Sequence, residues 1–397
     1  MTERVVKPEG RGFLFLDSHP VGCAQVVRDM AAEVEQRPAE RRTALVIGSS
    51  SGYGLATTIA GLARYGIDGI GICFEKAATA RRTATAGWYR TAETSALAAQ
   101  LGRSWTFVNA DAFADTTKEE VLDLIASQLG GIDHLVYSVA APRRTDPRTG
   151  ETYQSVLKAI GAEHTTKSLA FDDGAPVLQE VGIEVATDDE IAQTVKVMGG
   201  EDWKLWIDAL SAAGVLADGF KTVAYSYIGP ELTWAIYTDG TIGRAKLHLE
   251  QTARELNAAY GADTAVVSVN KALVTQASSA IPGVPLYISI LYKIMKAKGT
   301  HEGCIEQIQR LFADHYGAAN GPVLDDKGRI RIDDWEMRPE VQEEVEKVWN
   351  VITTEQLDEL SDFAGYQKEF LKLFGFGLAG VDYAAEAEPV RPVASIG

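Results

Sequence analysis

A tyrosine and a lysine nine positions apart, Tyr237 and Lys246, flank a turn that carries Gly240 and Gly243. Where both side chains enter one cleft, an ammonium lowers the pKa of a nearby phenol and makes it a proton donor to an oxygen that gains charge. By spacing alone the pair equally suits a core aromatic and a solvated cation. A second pattern says what such a cleft would hold. Gly48, Ser49, Ser50, Ser51, Gly52, Tyr53 and Gly54 follow a short apolar run and precede a stretch with helical spacing. That is the setting of a turn that cradles a pyrophosphate: glycine lets the backbone come close, and the helix start offers unpaired N–H groups at a positive dipole end.

The spacing of this turn, G-x-x-x-G-x-G, is similar to the loop of short-chain dehydrogenases/reductases and differs from the commoner G-x-G-x-x-G. Cys73-Phe74-Glu75 then places a carboxylate somewhat more than ~20 residues beyond the loop, where it can accept hydrogen bonds from an adenosine ribose. This predicts NADH over NADPH, since a 2′-phosphate would meet that charge, although Arg81 and Arg82 stand close enough in sequence to answer it. Asp111-Ala112 and Val139-Ala140 each follow a predicted strand and so fall at the carboxyl edge of a sheet, where cofactors bind; Asp111 equally suits a turn cap.

The elements that must position these groups read as a doubly wound α/β fold of Rossmann type. Short apolar runs at 43–48, 67–75, 105–110, 132–140, 221–228 and 264–273 alternate with helical patterns, which predicts a parallel sheet with crossover helices. A helix is expected over 55–64, and Thr116 with Glu119 reads as a capping box before another. Upstream, 13–16 reads as a short strand, followed by a turn at Asp17 to Pro20 and a helix to about Glu35 that packs on the sheet. The stretch 143–219 is too long for a simple connection and reads as an insertion without its own core, with a capped helix from Gly200 onward. Val341, Val345, Val348, Trp349 and Ile352 form a buried helical stripe, and the last ten residues read as a loose tail. The expected organisation is one enlarged domain over 1–397: an extension at 1–42, a nucleotide-binding core at 43–280, and substrate-lid helices with the C-terminal part at 281–397.

Composition narrows the function classes. With 55 acidic and 38 basic side chains the net charge is −17, which repels phosphate backbones and argues against nucleic-acid binding. Cys23, Cys73 and Cys304 have neither C-x-x-C spacing nor a disulfide framework, which suits a reducing compartment. His301 and Cys304 lack the companions of a metal motif, so no metal is assigned. The N-terminus is charged without an apolar core, and the greasiest stretch, 280–292, holds Pro282 and Pro285 and is shorter than the ~20 residues that span a bilayer. A cytoplasmic protein without membrane association is expected.

Longer blocks carry a more specific likeness. Beside the glycine loop and the Tyr237/Lys246 pair stand Ala140-Ala141-Pro142-Arg143-Arg144-Thr145, Met198-Gly199-Gly200-Glu201-Asp202-Trp203, Thr275-Gln276-Ala277-Ser278-Ser279-Ala280-Ile281-Pro282 and Gly299-Thr300-His301-Glu302-Gly303-Cys304-Ile305-Glu306-Gln307. From about Val6 to Tyr383 the chain resembles the trans-2-enoyl-CoA reductase family, which includes the long enoyl-acyl carrier protein reductases. The resemblance implies an enlarged short-chain-reductase fold, usually monomeric, that uses NADH to reduce the 2,3 double bond of an enoyl-CoA or enoyl-acyl carrier protein in fatty acid synthesis. It implies Tyr237 as proton donor, Lys246 as the cofactor-binding lysine and Tyr227 as a substrate-binding tyrosine. It implies NAD contacts from Gly48, Ser49, Ser50, Ser51, Gly52, Tyr53, Phe74, Glu75, Asp111, Ala112, Val139, Ala140, Leu273, Val274 and Thr275.

In one segment the chain departs from the family: Pro282-Gly283-Val284-Pro285 stands where two methionines commonly lie between the prolines. With the helix through Ile288, Leu291 and Met295 it is expected to line an acyl tunnel, so Gly283 would alter chain-length preference. Arg143, Arg144 and Arg148, with Lys293, Lys296 and Lys298, are the cations expected to meet CoA phosphates or an acidic carrier protein. The rival reading is a 3-ketoacyl or other carbonyl reductase on the same fold, which would normally show tyrosine and lysine four positions apart. A non-catalytic NAD sensor would need the loop but not Tyr237, Lys246 and Tyr227 together.

Overall fold

A computed structural model describes residues 3–35, 42–316 and 321–393. The chain opens with a hairpin, β1 (Gly10–Arg11) and β2 (Leu14–Phe15), and helix α1 (Pro20–Ala32). Then β3 (Thr43–Ile47), α2 (Gly52–Tyr65), β4 (Asp68–Cys73), α3 (Ala86–Gln100), β5 (Trp105–Asn109), α4 (Asp115–Leu124) and β6 (Ile132–Tyr137) alternate. Next come the short hairpin β7 (Arg143–Thr145) and β8 (Thr152–Gln154), the long hairpin β9 (His164–Asp172) and β10 (Ala175–Ile183), and helices α5 (Asp188–Met198) and α6 (Glu201–Ala212). The second half runs β11 (Leu216–Ser226), α7 (Thr241–Tyr260), β12 (Ala265–Val269), α8 (Gln276–Ser279), α9 (Val284–Ala297) and α10 (Cys304–Asp314). It ends with β13 (Arg329–Arg331), α11 (Pro339–Val351), α12 (Leu357–Leu360) and α13 (Phe363–Lys372).

The main sheet is parallel throughout, in the order β13-β12-β11-β6-β3-β4-β5. All six strands expected from the apolar runs are in it, and β13 is a seventh, too short and too charged to show a pattern. Its centre is buried on both faces, so alternate residues of one strand serve different layers. Leu45 and Ile47 pack with Trp203, Trp206 and Leu249 under α6 and α7; Ala44 and Val46 pack with Leu55, Ile59 and Ile308 under α2 and α10. Each fully buried aliphatic side chain contributes about 1.5–3 kcal/mol. Strand order reverses between β3 and β6, which opens a crevice beyond their carboxyl ends.

Three expectations need correction. Thr116 and Glu119 do not cap α4: the helix begins earlier, with Ala114 at its N-cap and no side-chain cap, because Asp111 already turns the chain by accepting from Phe113 N–H at 3.0 Å. The helix from Glu201 likewise has Gly200 at its cap and no side-chain cap bond. The tail is anchored where it is described: Trp88 donates to Arg391 O at 2.7 Å and Tyr89 to Pro389 O at 2.6 Å, while 394–397 lie outside the described residues.

The 143–219 stretch contains strands that its polar composition hid. Asp173 (φ 44°) and Gly174 (φ 85°) form the two-residue turn between β9 and β10, the left-handed pair that matches strand twist. Leu169 and Ile183 of this hairpin join a core shared with Leu286, Ile290, Val341, Tyr366 and Phe370 of α9, α11 and α13. The Val341/Val345/Trp349/Ile352 stripe is buried in that same core.

Candidate active site

The crevice at the strand ends is a cleft of about 940 Å³. At one end lies the glycine turn, folded back on β4 because the N–H groups of Gly48 and Ser49 both donate to Ile72 O at 2.9 Å. A Cβ on Gly54 would sit 2.0 Å from Gly48 O, so the turn closes against α2 only with glycine there. Ser51, the N-cap of α2, makes no side-chain bond to the first turn, and a Cβ on Gly52 would find nothing nearer than Thr275 Cγ2 at 3.9 Å. Unclaimed N–H groups and open space at a helix start fit a dinucleotide pyrophosphate.

Beyond the turn, Glu75 is held by short contacts. Ser50 Oγ donates to Oε1 at 2.6 Å and Thr85 Oγ1 to Oε2, while Asn109 brackets its backbone, accepting from Glu75 N–H at 2.7 Å. Phe74 beside it is 76% exposed on the cleft wall, an apolar face open to a planar ring. Asp111 and Ala112 line the wall, their loop tied down by Lys118, whose Nζ donates to Ala112 O, Phe113 O and the buried Asp202 at 2.9–3.1 Å.

At the other end stand the phenols and the lysine. Tyr237 lies in the turn before α7, which can approach the helix because Gly243 has no side chain: a Cβ would sit 2.0 Å from Thr238 O. Lys246 is one turn along that helix and lines the cleft. Among the described residues its ammonium has no hydrogen-bond or ion-pair partner, and burial lowers its pKa to about 8. Tyr227, just past β11, meets Tyr237 edge to face with ring centroids 4.7 Å apart. The phenol of Tyr237 is pushed up, by burial first and the charge of Glu336 second. The expected lowering by Lys246 does not appear, and desolvation of a 6%-exposed ring sets the direction instead.

Of the expected site residues, Gly48, Ser50, Ser51, Gly52, Tyr53, Phe74, Glu75, Asp111, Ala112, Val139, Ala140, Tyr227, Tyr237, Lys246, Leu273 and Thr275 share the wall of this one cleft. Ser49 and Val274 do not: Ser49 Oγ is buried against Ile72 O at 3.0 Å, and Val274 N–H donates to Tyr292 Oη at 3.2 Å. The acyl-tunnel expectation also shifts. Ile281, Val284 and Ile288 line the cleft, whereas Leu291 and Met295 are core, and Gly283 turns away at φ 77° with Thr166 Oγ1 3.0 Å from its would-be Cβ.

The expected basic patch does not assemble. Arg144 is buried and paired with Glu201 at 2.7 Å, Lys296 with Asp362 at 2.6 Å and Lys298 with Glu344 at 2.9 Å, and Lys293 donates to Glu359 O. Arg143 and Arg148 stay exposed, and Arg143 lines the cleft. Several residues of the site carried no readable signal. Ser226 Oγ and Asn270 Nδ2, both buried at the ends of β11 and β12, lack a partner among the described residues, and Glu336, behind the wall, holds Tyr227 from 109 positions away. Only folding brings them together.

Family models match along the chain: the NAD(P)H binding domain of trans-2-enoyl-CoA reductase over residues 5–80, the trans-2-enoyl-CoA reductase catalytic region over 82–316, and an enoyl reductase FAD binding domain over 324–387. An enoyl-[acyl-carrier-protein] reductase [NADH] of Streptomyces avermitilis is 56% identical over 95% of this chain and 97% of its own. A trans-2-enoyl-CoA reductase of Euglena gracilis is 50% identical over 96% of this chain and 71% of its own. The crystal structure of a Treponema denticola trans-2-enoyl-CoA reductase in complex with NAD superposes with a TM-score of 0.90 at 43% identity, covering 97% of this chain and 98% of that one. A Clostridium acetobutulicum trans-2-enoyl-CoA reductase in complex with NADH gives 0.93 at 40% identity, covering 98% and 100%.

The glycine turn and Glu75 fall in or beside the first match and suit its nucleotide. The third match offers this cleft little surface for a flavin: its Val341, Val345, Tyr366 and Phe370 are core, and of its residues Leu373 alone lines the cleft.

Proposed function

The chain belongs to the trans-2-enoyl-CoA reductase family, and from that premise we propose that it reduces the 2,3 double bond of enoyl thioesters, enoyl-CoA or enoyl-acyl carrier protein, with NADH. The observation that carries the reading is the joining of the glycine turn, Tyr237, Lys246 and Tyr227 in one cleft with an apolar stretch at Ile281, Val284 and Ile288. Bound NADH supplies a hydride to C3 of the enoyl group. Negative charge then moves to the thioester oxygen, hydrogen bonds from Tyr237 and Tyr227 stabilise that enolate, and C2 takes a proton that Tyr237, on the cleft wall with Lys246, supplies and regains from solvent. Tyr237 and Tyr227 suit this role because burial holds both as neutral phenols, so each keeps a proton to donate.

The residues that would hold the cofactor line one wall: Gly48 and Ser50 to Tyr53 would take the pyrophosphate, Phe74, Glu75, Asp111 and Ala112 the adenosine, and Lys246 the nicotinamide ribose, with Val139, Ala140, Leu273 and Thr275 as further contacts. Glu75 favours NADH, as a 2′-phosphate would face a carboxylate already fixed by Ser50 and Thr85. We further place the enzyme in the cytoplasm, a reading supported by three cysteines that are all free, and propose it as a monomer, as the family resemblance implies. Sedimentation near 43 kDa tests the monomer against the chain mass of 42.8 kDa.

The test follows loss of reduced nicotinamide with crotonyl-CoA and with a longer enoyl thioester, NADH and NADPH in parallel. Tyr237→Phe is expected to lower kcat by about 10²-fold or more, the usual scale for losing a general acid. Turnover of a 3-ketoacyl thioester with none of the enoyl substrates would move the assignment to a carbonyl reductase.

A further inference from the structure

The 324–387 segment reaches the phenols through one side chain. Glu336, between β13 and α11, is fully buried. Tyr287 Oη of α9 lies 2.6 Å and Tyr227 Oη 3.1 Å from the same carboxylate oxygen, Oε1, while Oε2 accepts from Ala272 N–H at 2.7 Å. Gln342 Nε2 donates to Glu336 O at 2.7 Å and to Tyr287 Oη at 3.2 Å, which locks the arrangement to the start of α11.

A phenol has one proton to give. When the carboxylate is ionised, both phenols donate to it, and the Tyr227 proton points away from the cleft. When the carboxyl is protonated, its own hydrogen is given to a phenol oxygen, and Tyr227 is free to turn its proton toward a substrate oxygen. We infer that Glu336 is a positioning residue whose protonated form aims the Tyr227 hydroxyl into the cleft, and whose ionisation on the alkaline side withdraws it. The inference rests on the enoyl-reduction reading above and adds a control on it.

The surroundings of Glu336 fit a carboxyl that keeps its proton. Tyr53 of α2, Tyr227, Tyr237, Tyr287, Lys271 and Asp333 face it from the elements packed around it. Burial pushes it up most strongly; Lys271, the Tyr287 hydroxyl and Ala272 N–H pull it back, and Asp333 pushes it further. Lys271 does not close an ion pair with it: its Nζ donates to Ala272 O at 3.0 Å and lies 4.8 Å from the Tyr292 ring centre. Asp333 is itself paired with Arg331 at 2.7 Å.

The test is the pH profile of kcat/KM for crotonyl-CoA at NADH concentrations that saturate at every pH, so that the titration of Lys246 in cofactor binding does not enter it. Glu336→Leu is expected to lose about a hundredfold. Glu336→Gln, which still donates to a phenol and accepts from Ala272 N–H but cannot ionise, is expected to recover to within about tenfold of wild type at pH 7 and to lack the alkaline limb. Tyr287→Phe removes a donor to the carboxylate, so the limb moves to higher pH, a result that needs no Glu336 variant to fold. Infrared spectra give a readout free of turnover: a protonated carboxyl band at pH 7 that fades on raising pH and is missing in Glu336→Gln.

The inference is overturned if the Gln variant keeps the wild-type limb, if it folds and binds NADH yet is as slow as the Leu variant, or if wild type shows no such band. Wild type failing on every enoyl thioester would instead sink the reduction reading, with the infrared band still deciding the protonation of Glu336.

Discussion

Lys246 and Tyr237 show how little residue identity says without surroundings. The same lysine that would be a solvated cation on an open helix has no hydrogen-bond or ion-pair partner among the described residues, and burial, which disfavours its charge, holds its pKa down at about 8. A folded-state pKa below the ordinary lysine value means that the charged form costs stability below about pH 8, a cost that fades as pH climbs toward 10.5. The same titration sets a binding prediction. If the ammonium holds the cofactor ribose, the Kd for NADH rises as pH passes through about 8, and in Lys246→Met it is weaker and flat over that range. Fluorescence titration from pH 6.5 to 9.5 checks this, and a wild-type Kd that stays constant would remove the lysine from the cofactor site. Tyr237, Lys246 and the glycine turn were legible because their chemistry is local or their spacing familiar. Glu336 was not, since a lone glutamate in Asp333-Asp334-Trp335-Glu336 looks like one more surface charge until the fold buries it.

At the scale of elements, α9 puts Val284 and Ile288 on the cleft wall where the proposed acyl tail would lie, and the β9–β10 hairpin packs behind it in the shared core. Gly283 is expected from the sequence to mark a departure from the family that alters the acyl tunnel, yet its left-handed conformation and the closeness of Thr166 and Lys167 O put it at the turn between α8 and α9, outside the wall. A methionine there would strain the backbone rather than fill a tunnel, so the informative positions are Val284 and Ile288, which do line the cleft. Val284→Phe is expected to lower kcat/KM for a long-chain enoyl thioester by about 10–100-fold relative to crotonyl-CoA, the range that a few methylenes of pocket volume provide. An unchanged chain-length profile would place the acyl group elsewhere. The hairpin itself was foreshadowed by Asp173-Gly174, a strong turn signal masked by the charges around it.

For the whole molecule the dominant fact is a charge of −17 on an enzyme whose proposed substrates carry phosphates. Pairing removes most of the cations that sequence proximity suggested, leaving Arg143 and Arg148 exposed beside the β7–β8 hairpin. We predict that Arg143→Glu raises KM for crotonyl-CoA about fivefold or more with kcat little changed, and that added salt weakens wild-type kcat/KM more than that of the variant, as screening acts on steering charges. Equal salt dependence in both would show that the phosphates meet a different surface.

By itself the sequence determined the sheet, since apolar runs of strand length between helical patterns have few other ways to bury themselves. It determined the cofactor end too, because a glycine turn between strand and helix is a local object whose geometry follows from its own residues. Only the tertiary structure decided which charges are free and which are spent. It set Arg144 against Glu201, anchored the tail on Trp88 and Tyr89, and brought Glu336 to Tyr227 across 109 residues. Burial, not residue type, sets the cost of a charge and the direction of a proton, and burial is a property of the whole fold.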